Sequence, residues 1–356
     1  MAIAPRAHET PHGDGPSAAG EQVCLLVDDP LFSRHEPPAY HPERPERLVA
    51  ARAAVARAPA RWQPVPARDA TREELGRVHD PRFLDRLGSL AGQVGYIDPD
   101  TYVGADSVAA AVRAAGTLIA MVDALAAGPL AKGVALLRPP GHHARAAQAM
   151  GFCLLNSIAI AAAHARASGF ERVAIVDWDV HHGNGTQEIF LTEPSVLYVS
   201  THQYPFYPGT GAVEETGDAD GRGYTVNVPL GAGGGDAIYR GAFERVILPV
   251  LEGFAPDLVL VSAGFDASAR DPLAEMALGP DAFGWMAREL ARVADASARG
   301  RMALVLEGGY DLVALEAGLT SAIAGMLGDA ADIGRDVDHP EVASAAKVAG
   351  RAWAVA

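Results

Sequence analysis

Asp177-Trp178-Asp179-Val180-His181-His182-Gly183-Asn184-Gly185 gathers two carboxylates, two imidazoles and a carboxamide directly behind the apolar run Val173-Ala174-Ile175-Val176. The run predicts a buried strand, so the polar segment begins where that strand ends. Residues two apart on an extended chain face the same way, which projects Asp179 and His181 together. One carboxylate and one imidazole are two ligands of a mononuclear metal site. Buried Asp and His can also cap a neighbouring helix or bond each other. Burying this much polarity without a compensating cation is costly, however, and the metal reading is favoured. Asp266, in Ser262-Ala263-Gly264-Phe265-Asp266, supplies a third ligand, although taken alone it reads as a helix N-cap. Two carboxylates and one imidazole leave a position for water, as in a catalytic zinc site. Water on such a metal has its pKa lowered toward neutrality and becomes a nucleophile.

Arg138-Pro139-Pro140-Gly141-His142-His143 offers a general base and acid beside that centre. In isolation these would be two surface histidines in a Pro/Gly turn. A catalytic imidazole needs an orienting partner for its second nitrogen, and Asp177 and Asn184 remain for that work. Because Asn is neutral, the histidine it holds should have the lower imidazolium pKa. Tyr310, after Glu307-Gly308-Gly309, could donate to a substrate carbonyl and stabilise an oxyanion. By itself it would be a packing residue, and its glycines a tight turn.

The elements that must position these residues alternate. Strands are expected at Val23–Val27, Gly133–Leu137, Val173–Val176, Val196–Val199, Tyr224–Val228, Leu258–Ser262 and Ala303–Leu306, several of them unbroken apolar runs. Helices are expected at Pro45–Arg57, Pro81–Ala91, Ser107–Ala127, Asn156–Ala167, Ala237–Leu251, Ala282–Ala298 and Leu312–Leu327. The alternation predicts one α/β domain, a mainly parallel sheet with helices on both faces. The polar segments then fall at the carboxyl ends of strands, where such sheets bind ligands. Residues 1–20 read as a disordered lead-in, 21–330 as a catalytic domain and 331–356 as a tail that wraps the surface or frays.

With 49% hydrophobic and 21% charged residues, the 356-residue chain has globular composition. Its net charge of -15 argues against non-specific nucleic-acid binding and is compatible with a cationic substrate. Cys24 and Cys153 form no CxxC pair, which excludes a disulfide framework and favours a reducing, cytoplasmic setting. The Ala-rich Ala109–Ala127 run carries Arg113 and Asp123 and reads as a packed helix; no membrane association is expected. His79 reads as a contributor to the cap of the helix after it, Cys153 and His164 as packing residues, and His202 has no assigned role.

Arg138–His143 with Gly151-Phe152-Cys153, Asp177–Gln187, Gly264–Pro272 and Glu307–Tyr310 resemble the zinc-dependent histone deacetylase and acetylpolyamine amidohydrolase family. Trp178 and Asn184-Gly185-Thr186-Gln187 resemble its class II and bacterial amidohydrolase branch. The resemblance runs from about Val23 to Leu327 and implies the arginase-deacetylase fold and hydrolysis of an N-acetyl amide. It implies Asp179, His181 and Asp266 as zinc ligands, with iron(II) as the other ion such a set accepts. It further implies His143 as general base and acid, His142 as its electrostatic partner, and Tyr310 as the carbonyl-polarising group. A structural potassium ion would be held by Asp177, Ser200, Thr201 and the backbone of Asp179 and His181. A second monovalent site would lie near Phe190, Glu193, Val196 and Tyr224. Substrate would be lined by Gly151, Phe152, Tyr207 and Leu273, with Asp100 at the rim. Arg47 reads equally as a group near the acetate exit or as an ion-pair partner of Glu43 or Glu46.

The same fold carries binuclear manganese ureohydrolases, which need a further Asp two residues after the core ligands; Gly183 and Ser268 stand there instead. The short segment Arg34–Arg47, without an inserted loop, tips the expected substrate toward acetylated lysine side chains over acetylated polyamines. A non-catalytic binder of acetylated ligands is the reading from another class, opposed by retention of every ligand, both histidines and Tyr310. A homo-oligomer is compatible with all of these.

Overall fold

The computed structural model describes residues 22–38 and 40–355; the expected lead-in over 1–20 lies outside them. Eight strands form one sheet: β1 (Gln22–Val27), β2 (Ala60–Pro64), β5 (Lys132–Ala135), β6 (Val173–Asp177), β7 (Val196–Gln203), β8 (Thr225–Leu230), β9 (Leu258–Ala263) and β10 (Met302–Leu306). Their order is β2-β1-β5-β10-β9-β6-β7-β8, and every neighbouring pair is parallel. A separate antiparallel pair joins β3 (Gly95–Tyr96) to β4 (Tyr102–Val103). β6, β7, β9 and β10 are buried along their whole length, as strands covered on both faces must be. The α/β architecture and single parallel sheet expected from the alternation are therefore what forms.

Helices α1 (Glu46–Arg57), α2 (Arg72–Leu75), α3 (Pro81–Ser89), α4 (Ser107–Ala127), α5 (Ser157–Ala167) and α6 (Asn184–Ile189) precede β7. After β8 come α7 (Asp236–Ala242) and α8 (Leu248–Phe254), joined by a π-turn over Phe243–Ile247, then α9 (Pro280–Ser297), α10 (Leu312–Met326) and α11 (Pro340–Ala349). α4 is long and apolar enough to cross a membrane by composition, but most of it is buried against the sheet and α5.

The structure departs from the expected elements where local pattern was weak. β2 is an edge strand of mixed polarity ending in Pro64, so no apolar run marks it. Pro340–Ala349 is a helix packed on β8 and not a frayed tail: Val342, Ala345, Val348 and Ala349 bury one face. Helix α3 is capped by Asp80, whose carboxylate accepts from the Arg82 and Phe83 N–H groups. His79 does not cap it. Its Nε2 accepts from the Asn156 N–H (3.0 Å) and its Nδ1 donates to the Arg145 carbonyl (3.1 Å), tying the loop after β5 to the start of α5.

Register brings the chemistry-bearing segments to one level. Asp177 at the end of β6 pairs with Ser200 of β7 and Ser262 of β9, and Leu306 of β10 pairs with Ala263. The loops leaving β5, β6, β7, β9 and β10 thus open on the same edge of the sheet.

Candidate metal centre and pocket

Asp179, His181 and Asp266 bring one donor atom each within 4.8 Å of one another, and all three are buried. His181 Nδ1 lies 3.2 Å from a carboxylate oxygen of Asp179 and 3.2 Å from one of Asp266. Backbone N–H groups aim the carboxylates: Gly308 donates to Asp179 Oδ2 (2.7 Å), His181 to Asp179 Oδ1 (2.9 Å) and Val180 to Asp266 Oδ1 (2.9 Å). Gly264 and Gly308 are more than turn formers. A Cβ on Gly264 would collide with Asp179 Oδ2, and one on Gly308 with Asp266 Oδ2. Close approach of these loops to the carboxylates demands glycine.

The electrostatics of the trio call for a cation. Burial disfavours a charged His181, yet hydrogen bonds and charge from Asp179 and Asp266 raise its pKa to about 10. Two buried carboxylates flanking one imidazole leave the cluster short of positive charge. A divalent ion bound by the same atoms would neutralise it better, and the donor set fits one.

His142 and His143 lie side by side, ring centroids 4.0 Å apart, on the loop after β5. His142 Nδ1 is 3.0 Å from Asp177 Oδ2, which also accepts from the Tyr198 hydroxyl (3.1 Å). Burial opposes its charged form, but Asp177 and Asp179 outweigh burial and hold His142 up at about 10. His143 Nδ1 donates to Asn184 Oδ1 (2.8 Å). Burial, then the positive charges of His142 and His181, hold its pKa well below the usual imidazole range. The carboxylates thus hold His142 up, whereas burial and its positive neighbours hold His143 down in spite of the Asn184 bond.

Tyr310 is held from behind. Its N–H donates to Asp271 Oδ2 (2.6 Å), and the Arg47 guanidinium sits 5.0 Å from its ring centroid. Burial and the carboxylates of Asp266 and Asp179 outweigh Arg47 and raise the phenol well above its ordinary pKa, so it stays a donor. Arg47 is fully buried: it pairs with Glu43 (3.0 Å), donates Nε to the Gly309 carbonyl (2.7 Å) and Nη2 to that of Glu307. The ion pair with Glu43 is present; Glu46 is not its partner.

His142, His143, His181, Gly308 and Tyr310 line a pocket of about 180 Å³ whose walls include Phe152, Tyr207, Gly151, Leu273 and Asp100. Phe152 meets Tyr310 edge-on at 5.8 Å, and Tyr207 meets His143 at 5.2 Å. Gly151 adopts φ 58° against the His143 ring, where any Cβ would crowd it. Asp100 is a part-buried lining residue, its pKa raised by burial and by Asp98 beside it.

Sequence reading missed three groups. Phe206 stacks on His181 (5.6 Å, 21°) and lines the pocket, a role hidden by its neighbour Tyr207. Glu307, buried and raised to about 7 chiefly by that burial, accepts from the N–H groups of Gly141 (2.6 Å) and His142 (3.2 Å), fixing the histidine turn. Asn156 caps α5 and donates to the Ala144 carbonyl (3.1 Å) and Thr186 Oγ1 (3.1 Å). Only the polar residue before an apolar helix hinted at the last.

At the expected potassium site, Ser200 Oγ bonds His202 Nδ1 (2.9 Å), and Thr201 Oγ1 is buried without a partner among the described residues. Near the second monovalent site the carbonyls of Phe190, Glu193 and Tyr224 accept from the N–H groups of Glu193, Val196 and Tyr198.

The histone deacetylase domain family matches residues 41–326. Histone deacetylase 15 of Arabidopsis thaliana is 43% identical over 321 residues, 88% of this chain and 57% of that protein. The histone deacetylase-like amidohydrolase of Pseudomonas aeruginosa is 43% identical over 302 residues, 84% of this chain and 78% of the relative. The human polyamine deacetylase HDAC10 is 40% identical over 330 residues, 86% of this chain but 46% of that protein. The crystal structure of the HDA15 HD domain superposes with a TM-score of 0.86 at 39% identity, covering 94% of this chain and 96% of that one. The chain belongs to the histone deacetylase family.

Proposed function

We propose that the protein is a zinc-dependent amidohydrolase that removes acetyl groups from acetylated lysine side chains. The observation that carries this is the buried Asp179–His181–Asp266 trio, whose His181 lines one pocket together with His143 and Tyr310. Asp179, His181 and Asp266 would hold the zinc, which when bound polarises the amide carbonyl and acidifies water. With Nδ1–H committed to Asn184, His143 keeps its Nε2 lone pair free to take a proton from attacking water and return it to the departing amine. His142, charged and held by Asp177, stabilises negative charge developing beside it. The Tyr310 phenol donates to the oxygen that becomes anionic. Phe152 and Tyr207 exclude water and favour an unbranched alkyl stem.

Potassium belongs to the same proposal. Ser200 Oγ, if it donates its proton to His202, retains lone pairs for a cation, and one beside Thr201 would satisfy the orphaned Oγ1. The second monovalent site near Phe190, Glu193, Val196 and Tyr224 would use the remaining carbonyl lone pairs.

Acetylated polyamines are the second reading, favoured by the acidic Asp100 in the pocket lining and by a relative named a polyamine deacetylase. Purified, metal-analysed protein assayed on matched acetyl-lysine peptide and N-acetylputrescine decides. The expected result is peptide turnover that disappears on chelation, returns with zinc, and falls about 100-fold or more in Tyr310→Phe. Preference for the polyamine would shift the substrate class. No turnover of either by zinc-loaded protein would favour a binder of acetylated ligands.

A further inference from the structure

We infer that Glu215 is a positioning residue for substrate: through Gln187, His182 and Thr210 it fixes the loop carrying Phe206 and Tyr207 against the metal-binding segment. Its consequence for turnover rests on the proposed deacetylase reading; the latch itself does not. Phe206 and Tyr207 line the pocket from the loop that follows β7. Phe206 stacks on His181 (5.6 Å), and Tyr207 meets the rings of His143 (5.2 Å) and His181 (6.1 Å). A loop has no ladder of its own to keep such a wall in place. β7 and the bond from the Tyr204 N–H to the Leu230 carbonyl (2.8 Å) hold one end of it.

At the other end the hydrogen bonds form a directed chain. The half-buried Glu215 carboxylate only accepts, and it takes Gln187 Nε2 (2.6 Å) and the N–H groups of Gly211 (3.1 Å) and Ala212 (3.1 Å). Gln187 must therefore turn Oε1 the other way, where it accepts from His182 Nε2 (3.0 Å). A neutral imidazole that donates from Nε2 accepts at Nδ1, and Thr210 Oγ1 lies 2.7 Å from that atom. Each choice forces the next, from one carboxylate to a hydroxyl on the loop. Gln187, His182 and His202 are buried, which strengthens these bonds against competition from water. His202 Nε2 donates to the Gly211 carbonyl (2.9 Å), so Gly211 is held on both sides of its peptide. The fit is close: a Cβ on Gly211 (φ 91°) would stand 2.4 Å from His202 Nε2 and 2.7 Å from His182 Cγ.

Thr210 and Gly211 follow Tyr207 by three and four residues, which leaves little slack between latch and wall. His182 is next in sequence to His181, and Gln187 lies on α6 just beyond it. The aromatic wall and the imidazole it packs on therefore belong to one hydrogen-bonded unit. A substrate stem passing Tyr207 meets that wall in the ground state and the transition state alike. Loosening the wall should accordingly weaken binding more than chemistry. Glu215 acts through the loop, not by contact with substrate.

Glu215→Ala and Thr210→Val open the latch at its two ends in the zinc-loaded full chain, and thermal melts check that both fold. KM for acetyl-lysine peptide should rise about fivefold in Glu215→Ala and about twofold in Thr210→Val, with kcat within about twofold and zinc content unchanged. In a Tyr207→Ala background, Glu215→Ala should raise KM no further, because the wall it holds is gone. Amide hydrogen exchange reads the latch without substrate. The Gly209 N–H, bonded to the Phe206 carbonyl (2.8 Å) and not to Glu215, should exchange about tenfold faster in both variants. Unchanged Gly209 exchange in both would overturn the latch. Faster exchange with unaltered KM, full additivity with Tyr207→Ala, or loss of zinc together with kcat would overturn the positioning role. Faster exchange in the variants of a wild type that turns over no acetyl-lysine peptide would uphold the latch and overturn the deacetylase reading instead.

Discussion

At the residue scale, His142 and His143 differ by what stands behind each ring. A carboxylate behind His142 and a carboxamide behind His143 make one a standing charge and leave the other an open proton acceptor. Asn184→Asp should erase that difference by raising the His143 pKa. The base form would then need a higher pH, and the acidic limb of kcat/KM should move up by about one to two pH units. A pH–rate profile of the variant identical to wild type would remove His143 from the role of base. Tyr310 belongs to the same logic, because burial and nearby carboxylates raise its pKa and favour the protonated phenol.

At the element scale, glycine and loop anchoring decide whether strand ends can converge. Gly308 lies so close to the Asp266 and Asp179 carboxylates that a methyl group cannot be accommodated. Gly308→Ala should lower stability by about 1–3 kcal/mol through overpacking and strip the protein of most of its metal. Calorimetry and elemental analysis read the two effects separately. His79 anchors the loop after β5 as a neutral ring, its pKa lowered from 6.5 to about 4 by burial. The sign is that of a depressed group: its contribution is complete above pH 6.5 and is lost as pH falls toward 4. That amounts to about 3 kcal/mol at the acid end. His79→Gln, which can imitate both hydrogen bonds without titrating, should flatten this part of the stability–pH curve. Urea titrations between neutral pH and pH 4 would reveal a slope as steep as wild type if His79 is not responsible.

At the scale of the whole molecule, the C-terminal segment closes the sheet. α11 covers β8, which would otherwise be an open edge, and Trp353 locks it down through Gly223, Tyr224 and Phe254. Trp353→Ala should cost about 3 kcal/mol and lower the melting temperature by several degrees, with metal content unchanged. Loss of metal together with stability would show instead that the far edge of the sheet supports the centre directly.

Strand-end chemistry was legible in sequence because every ligand follows an apolar run, Asp179 and His181 the same one and Asp266 another. Residue type and period-two alternation therefore placed Asp179 with His181, and Asp266 at the end of another strand, before any fold was known. The alternation of elements likewise determined a parallel α/β sheet. Other features depend on contacts between residues far apart in the chain, which no local pattern carries. Glu307 reaches the turn of Gly141 and His142, and Arg47 reaches the carbonyls of Glu307 and Gly309. Gly264 and Gly308 turned out to be required by carboxylates across the site and not by their own turns. Edge elements such as β2 and α11 lack the continuous apolar run that full burial imposes, so only the tertiary structure could decide them. Sequence specified which groups could do the chemistry; register, setting Asp177 level with Ser200 and Ser262, decided that they meet.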